Sequence, residues 1–437
     1  MTSMTFEDSA HLLGRIAFGG DGASLEHARA RGRAATIDTL LTAPTALTPH
    51  PPLDWVHEKP PLRRRRLLDD AERKAFRKLR RQRGRALQSW WLEAMATSEH
   101  PAFERMLVFW HGHFTSSLRK VKWPGWIWQQ HLTMRRHALG SFRDLLRAMV
   151  RDPAMLIYLD NTANRRRAPN ENLARELMEL FTLGEGHYTE ADVKTAARCL
   201  TGWGVDRTEG FSIKQRAHDG RTKTLFGRTG PLDGDDLVDV LLEHPRTAVH
   251  IAERMWIHFA GAPHRPTIEK MAQAFRRSDY QITAPLKVML GADAFYAPTL
   301  RGAHIKSPID LIVGTVRLLN LKPEDWSPLA RACGRLGQGL FNPPNVKGWP
   351  GGTRWITTDT LMARHALLDH ARDSLPEDAS TAWRLLAQRL GVRGGPQRTY
   401  RQLHQLCLPV HDAPGKAPSS PWAALGEVLR HPAYQLV

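Results

Sequence analysis

Apolar residues recur at helical spacing along almost the whole chain, and that periodicity constrains the fold more than any other feature. Ala10, Leu12, Leu13 and Ile16 mark a helix over 7–19 that stops at Phe18-Gly19-Gly20. Leu25, Ala28, Ile37, Leu40 and Leu41 mark another over 24–41, with Gly32 as a dividing point. Phe103, Met106, Leu107, Phe109 and Trp110 mark 101–114, where Pro101 suits the first helical position. The same pattern continues through 126–138, 141–151, 171–183 and 236–243. It resumes over 246–260, 266–277, 284–293, 307–319, 327–336, 357–374, 379–391 and 421–430. Residues 204–235 lose it: they are Gly-rich and polar, and the stretch Thr224 to Gly230 resembles a turn or small hairpin. The expectation is an all-α chain, a large multi-helix single domain with one Gly-rich insertion that contains a hairpin.

Four regions follow from this pattern. Residues 1–60 form an N-terminal helical segment with a Pro-rich linker, and 61–203 a central helical region carrying a basic helix and the polar motifs. Residues 204–235 are the insertion, and 236–437 a C-terminal helical region, over one continuous core. A chain of 437 residues is long enough for such a core.

Several function classes lose weight. No P-loop, no Gly-x-Ser-x-Gly elbow and no His-Glu-x-x-His occurs, which counts against nucleotide-driven work, α/β-hydrolase chemistry and zincin proteolysis. Cys199, Cys333 and Cys407 are odd in number, far apart and in no Cys-x-x-Cys pair, so a disulfide framework or thiolate zinc site is not expected. Cys199 reads as a buried small hydrophobe. No apolar run is long enough to span a bilayer, and the start Met-Thr-Ser-Met-Thr lacks a secretory signal. Taken literally this means cytoplasm, or export on a partner that carries a twin-arginine signal.

The net charge of +18 is uneven. Residues 63–85 hold twelve Arg or Lys against Asp69, Asp70 and Glu72, a local excess of nine. One reading is an anionic polymer or surface gripped by Arg63, Arg64, Arg65, Arg66, Arg80 and Arg81. The plainer reading is a solvated helix face, since Phe76 is the sole aromatic residue in the run and stacking platforms are missing.

The stretch from Phe109 to Trp203 sets histidines, carboxylates and amides inside apolar helices, where they need partners, protons or a metal. His111 and His113 would lie about 200° apart on a helix, so sharing one metal requires the helix to end near Gly112. Otherwise one is a core histidine on a carbonyl and the other is exposed. On the 171–183 helix, Leu173, Leu177, Leu180 and Phe181 form one side and Asn172, Arg175, Glu176 and Glu179 the other. Glu176 and Glu179 project from one face, a spacing that suits a metal or an acid and a base. It also suits a solvated face with an Arg175–Glu179 ion pair. Glu-x-x-His motifs of a di-iron bundle are missing there. His218-Asp219 in the insertion could add ligands, or be a plain surface turn.

Long segments resemble one known family. They include Leu12-Leu-Gly-Arg-Ile-Ala-Phe-Gly, Phe109-Trp-His-Gly-His-Phe and Asn170-Glu-Asn-Leu-Ala-Arg-Glu-Leu-Met-Glu-Leu-Phe. Tyr188-Thr-Glu-Ala-Asp-Val, Lys306-Ser-Pro and Pro343-Pro-Asn-Val-Lys-Gly-Trp-Pro-Gly-Gly belong with them. In order and over nearly the whole chain, they resemble the DUF1800 family, bacterial proteins of unknown function. The resemblance implies a mainly α-helical fold and a neighbouring sulfatase-like protein, typically with a twin-arginine signal, as a partner. It supplies no catalytic residues. Gly112 stands where many relatives have Asn, and the Arg-rich run departs from them too.

The leading expectation is a metal-dependent hydrolase of an anionic ester or polymer. A divalent metal would be held by some of His111, His113, Glu176, Glu179, His218 and Asp219. Glu176 and Glu179 would do the proton work, Arg175 would neutralise the substrate's anionic group, and residues 337–355 would form a wall or lid. The rivals are a non-enzymatic scaffold for the sulfatase-like partner, recognisable by an exposed apolar patch, and polyanion binding through 63–85.

Overall fold

The computed structural model describes residues 4–60, 69–408 and 414–437. These residues are predominantly helical, with two small two-stranded sheets in the insertion. Trp203–Asp206 pairs antiparallel with Gly210–Ile213, and Lys223–Leu225 with Arg228–Gly230. The second hairpin, expected from Thr224 to Gly230, turns on Phe226 and Gly227, both at positive φ. That is the backbone hand a two-residue hairpin loop prefers.

Helix ends carry their expected signals. Asp69 and Glu72 form a reciprocal capping box that starts the basic helix at Asp70, and it runs to Thr97. The basic run begins earlier, at 63, and its residues Arg63, Arg64, Arg65 and Arg66 lie outside the described residues. The helix expected over 171–183 is shorter, Asn172–Glu179. A helix at Pro396–Cys407, unforeseen in the sequence, packs beside Pro421–Arg430.

The Pro101–His113 helix is the hub. Every residue from Ala102 to His111 is buried, and so is His113. A helix buried on all sides must satisfy its polar groups internally. Glu104 accepts from Arg135 at 2.7 Å and from the Trp91 indole at 3.2 Å, with both charged side chains essentially inaccessible. Arg105 pairs with Asp310. The polar residues of this helix thus tie it to its neighbours.

The apolar interior falls into two clusters. The larger runs from Met4 to Phe341 around Trp91, Trp110, Trp128, Trp203 and Trp256. The smaller joins Leu311, Leu318 and Leu319 to the C-terminal helices. The Pro308–Leu318 helix serves both, giving Ile309, Ile312 and Val313 to the first and Leu311 and Leu318 to the second.

The Gly- and Pro-rich loop after residue 336 packs as a wall over the end of the hub helix. Gln88 donates to Leu340 O at 2.7 Å, and the Thr115 hydroxyl donates to Val346 O at 2.7 Å. Gly348 has φ +89°, and a Cβ there would sit 2.6 Å from Gly112 O, so only glycine permits this approach. The packing brings Lys347 beside the Asn172–Glu179 helix.

Candidate functional site

The six residues expected to share a metal are not brought together. His111 and His113 belong to one helix that ends only after His113, so they point to opposite sides. The break required at Gly112 does not occur. His111 Nε2 lies 2.9 Å from His131 Nδ1, with the rings of Trp91 and Phe341 packed against it. His113 Nε2 donates to Phe181 O at 3.3 Å among Phe109, Phe114 and Phe181. Both are core histidines; neither is exposed. Burial pushes His111 down to about 3 and holds His113 and His131 well below the usual histidine range, helped by nearby Arg135 or Arg254. In the His111–His131 contact one neutral ring donates and the other accepts.

His218 and Asp219 serve the insertion. His218 Nδ1 donates to Thr201 O at 2.9 Å. Asp219 is fully buried, and its two oxygens accept from Arg198 Nε at 2.8 Å and from Arg221 Nε and Nη2 at 2.9 and 2.8 Å. The Arg221 contact, with Arg198 behind it, holds this carboxyl far below the carboxylate range. A metal would have to displace both guanidinium groups, so Asp219 is a clasp for the hairpins rather than a ligand. Among the described residues no group of three or more His, Cys, Asp or Glu is arranged to hold a metal ion.

Arg175 is also engaged, though not with Glu179. Glu190 accepts from Nη1 and Nη2 at 2.6 and 2.8 Å, and Glu171 accepts from Nη2 at 3.0 Å. Glu190, then Glu171, drives its proton affinity up. A guanidinium held by two carboxylates is a poor receptor for a substrate anion.

What remains is the face of the Asn172–Glu179 helix. Leu173, Ala174, Leu177 and Met178 are buried beneath it, which turns Glu176 and Glu179 outward on the same side. Asn170 Oδ1 accepts from Asn172 N at 3.0 Å in the turn that enters the helix, whose N-cap residue, Glu171, makes no side-chain capping bond. Glu179 accepts from the Tyr188 hydroxyl at 3.1 Å and lies 3.7 Å from Lys347 Nζ. Glu176 is half-buried, and its carboxyl makes no hydrogen bond among the described residues. Partial desolvation, followed by the charge of Glu179, pushes Glu176 above the ordinary glutamate range, against Lys347 and Arg175. Tyr158 feels the charge of Glu176 and is raised chiefly by burial. Burial and Glu179 push Tyr188 up to about 12, so it stays a donor at neutral pH.

Tyr188 and Lys347 did not stand out as site residues in the sequence. Both lie in segments that resemble the family, which is the signal that could have found them. Arg80 is half-buried and Arg81 exposed on the basic helix. Among the described residues the exposed large apolar side chains are Leu79, Ile213, Ile257 and Met362, each on a different element.

The model of the family described as "Protein of unknown function (DUF1800)" matches residues 11–436. The chain belongs to that family. No curated protein and no solved structure matches it. Among the described residues no helix is long and apolar enough to cross a membrane.

Proposed function

We propose, with that family as the premise, that the Glu176–Glu179 face is a hydrolytic centre acting on an anionic ester or polymer. The observation behind this reading is the contrast between two neighbouring carboxyls. Among the described residues Glu176 has no hydrogen bond to its carboxyl and is biased toward its protonated form, while Glu179 is held by a tyrosine hydroxyl and a lysine. Environments that separate two neighbouring carboxyls in this way assign one as acid and the other as base. Glu176 gives its proton to the leaving oxygen as that bond breaks. Glu179 takes a proton from the attacking water as the water oxygen bonds to the reacting centre. The exposed ammonium of Lys347 draws the anionic group to the face.

The test is release of nitrophenol from phosphate, sulfate and carboxylic esters, and of reducing ends from sulfated and phosphorylated polysaccharides. Glu176→Gln and Glu179→Gln should each lower kcat by about 100-fold or more on the substrate that turns over. Unchanged rates in both variants would remove the reading. Metal analysis of untagged protein belongs beside it. A stoichiometric divalent ion that disappears in the Glu176→Ala, Glu179→Ala double variant would reassign the carboxylates from acid and base to ligands.

A second reading, polyanion binding, is favoured by one face of the Asp70–Thr97 helix. Lys74, Arg77, Lys78, Arg81 and Arg85 are exposed and form no ion pair among the described residues. They fall within an arc of about 100° over roughly 16 Å, a straight cationic stripe. Binding of a labelled sulfated glycan or oligonucleotide should weaken steeply with salt, and Lys78→Glu with Arg81→Glu should lower the salt slope. A flat salt response defeats it.

A further inference from the structure

A second cavity lies far from the carboxylate face in sequence and is built from the two ends of the chain. It has a volume of about 370 Å³ and lies between the Phe6–Ile16 helix, the start of the Pro308–Leu318 helix and the C-terminal segment. Most of its wall is apolar, including Phe6, Phe18, Leu406, Leu408 and Leu436. That volume is at the small end of ligand cavities, roughly 300–1,000 Å³.

Two cations stand in this wall, Arg301 and Lys306, and Arg301 is paired with Asp8. Lys306 is fixed through its backbone: its N–H donates to Gln435 O at 2.7 Å, and Arg364 donates to its carbonyl at 2.8 Å. Its ammonium lies 3.9 Å from the centre of the Tyr434 ring, which is held by a 2.6 Å hydrogen bond between its hydroxyl and that of Thr315. The Lys306 ammonium makes no hydrogen bond or ion pair among the described residues. Among the described residues the acids that could neutralise it are committed or out of reach. Asp310 is bound by buried Arg105, Asp8 by Arg301, and Glu7 is exposed at the rim without reaching it.

Beyond those carboxylates and Arg301, the titratable groups around it among the described residues are neutral or cationic. Cys407 is pushed up to about 12 by burial and stays a thiol, and burial also raises Tyr434. His11 is driven down to about 3 by burial and Arg15, and it sits on Phe295 O at 2.9 Å. Arg364 adds a like charge nearby. Desolvation, and then Arg364, bring Lys306 down to about 8, with Cys407 opposing. An ammonium without a counter-ion against an apolar wall is stabilised by whatever anion enters with it.

We infer that this cavity binds a small amphipathic monoanion, its carboxylate on the Lys306 ammonium over the Tyr434 ring and its hydrocarbon body against the Phe6, Phe18 and Leu406 wall. The site is independent of the hydrolytic proposal. No covalent step is involved.

The probes are octanoate and 4-phenylbutyrate, with 1-octanol as the uncharged control, titrated calorimetrically into the full chain. Octanoate should bind at least about tenfold more tightly than 1-octanol. Its affinity should fall as pH rises through about 8, where the ammonium loses its proton. Lys306→Met should remove the preference for octanoate and Lys306→Arg should retain part of it, while Glu176→Gln leaves it unchanged. In case Lys306→Met folds poorly, the wild type carries a second readout. The ¹³C signal of the reductively methylated Lys306 should titrate later when octanoate is present. Equal affinity for octanol and octanoate, binding that ignores pH between about 6 and 9, an unmoved Lys306 signal or no binding of either acid would each overturn the inference.

Discussion

The hub helix Pro101–His113 and the helix Asn172–Glu179 both set charged or titratable residues within apolar sequence, and the structure uses them in opposite ways. On the first, Glu104, Arg105, His111 and His113 turn inward and are consumed by Arg135, Asp310, His131 and Phe181 O. On the second, Glu176 and Glu179 turn outward from Leu173 and Leu177, and the Glu176 carboxyl is left without a hydrogen bond among the described residues. A buried polar group tied to a partner holds a fold together, even where one of its atoms stays unpaired, as Arg105 Nε and His113 Nδ1 do; a carboxyl left open at the surface is available to a ligand. Residue type is the same signal in both helices. The direction of the side chain and the presence of a partner separate them.

The largest effect should come from breaking a pair on the hub helix. Arg135→Met leaves Glu104 buried and uncompensated, and should cost about 3–5 kcal/mol in urea unfolding. A loss within the error of the measurement would mean that Glu104 finds another partner. His131→Phe should be milder, about 1–3 kcal/mol, because it strips His111 of one neutral hydrogen bond.

The pH response should divide the same way. His111 and His131 have folded proton affinities far below the unfolded value of 6.5. Their contribution is therefore full above about 6.5 and is lost as pH falls toward the folded values. Acid unfolding should become shallower in His131→Phe. Asp152 works in the opposite sense. It is buried under Gln130 and the Met155 N–H, and burial raises it from 3.8 to about 7. Its contribution is present below 3.8 and is lost as pH rises through about 7. Asp152→Asn can keep both accepted hydrogen bonds, and should be more stable than wild type above pH 7 by up to a few kcal/mol. Parallel pH curves for the two proteins would contradict the assignment.

The smallest stability change should come from the open face. Glu179→Gln loses a pair with an exposed lysine and should shift unfolding by less than about 1 kcal/mol. A large destabilisation there would place Glu179 with the structural residues and erase the contrast.

Much of the fold was legible because periodicity is local. Leu12, Ile16, Phe103, Met106, Leu173 and Leu177 mark the buried faces from spacing alone, and all are buried. The turn within Thr224 to Gly230 and the Pro101 helix start are equally readable, since each depends on a few neighbouring residues. The site was less legible because its contacts are distant. Nothing near His111 announces His131, twenty residues on, and nothing near Glu179 announces Lys347. Asp219 looks available beside His218 because spacing alone does not show that Arg221, two residues on, folds back onto it while Arg198 closes from another element. The helix wheel did place Glu176 and Glu179 together, since their relation is internal to one helix.

The most direct test needs no substrate. The side-chain carboxyl carbon of Glu176 can be followed by ¹³C NMR from acid to neutral pH, in wild type and in Glu179→Gln. Glu176 should titrate above the exposed glutamates, and its midpoint should drop when the charge at 179 is removed, because that charge helps hold the proton. A Glu176 that titrates with the exposed glutamates and ignores Glu179→Gln would contradict the acid–base face.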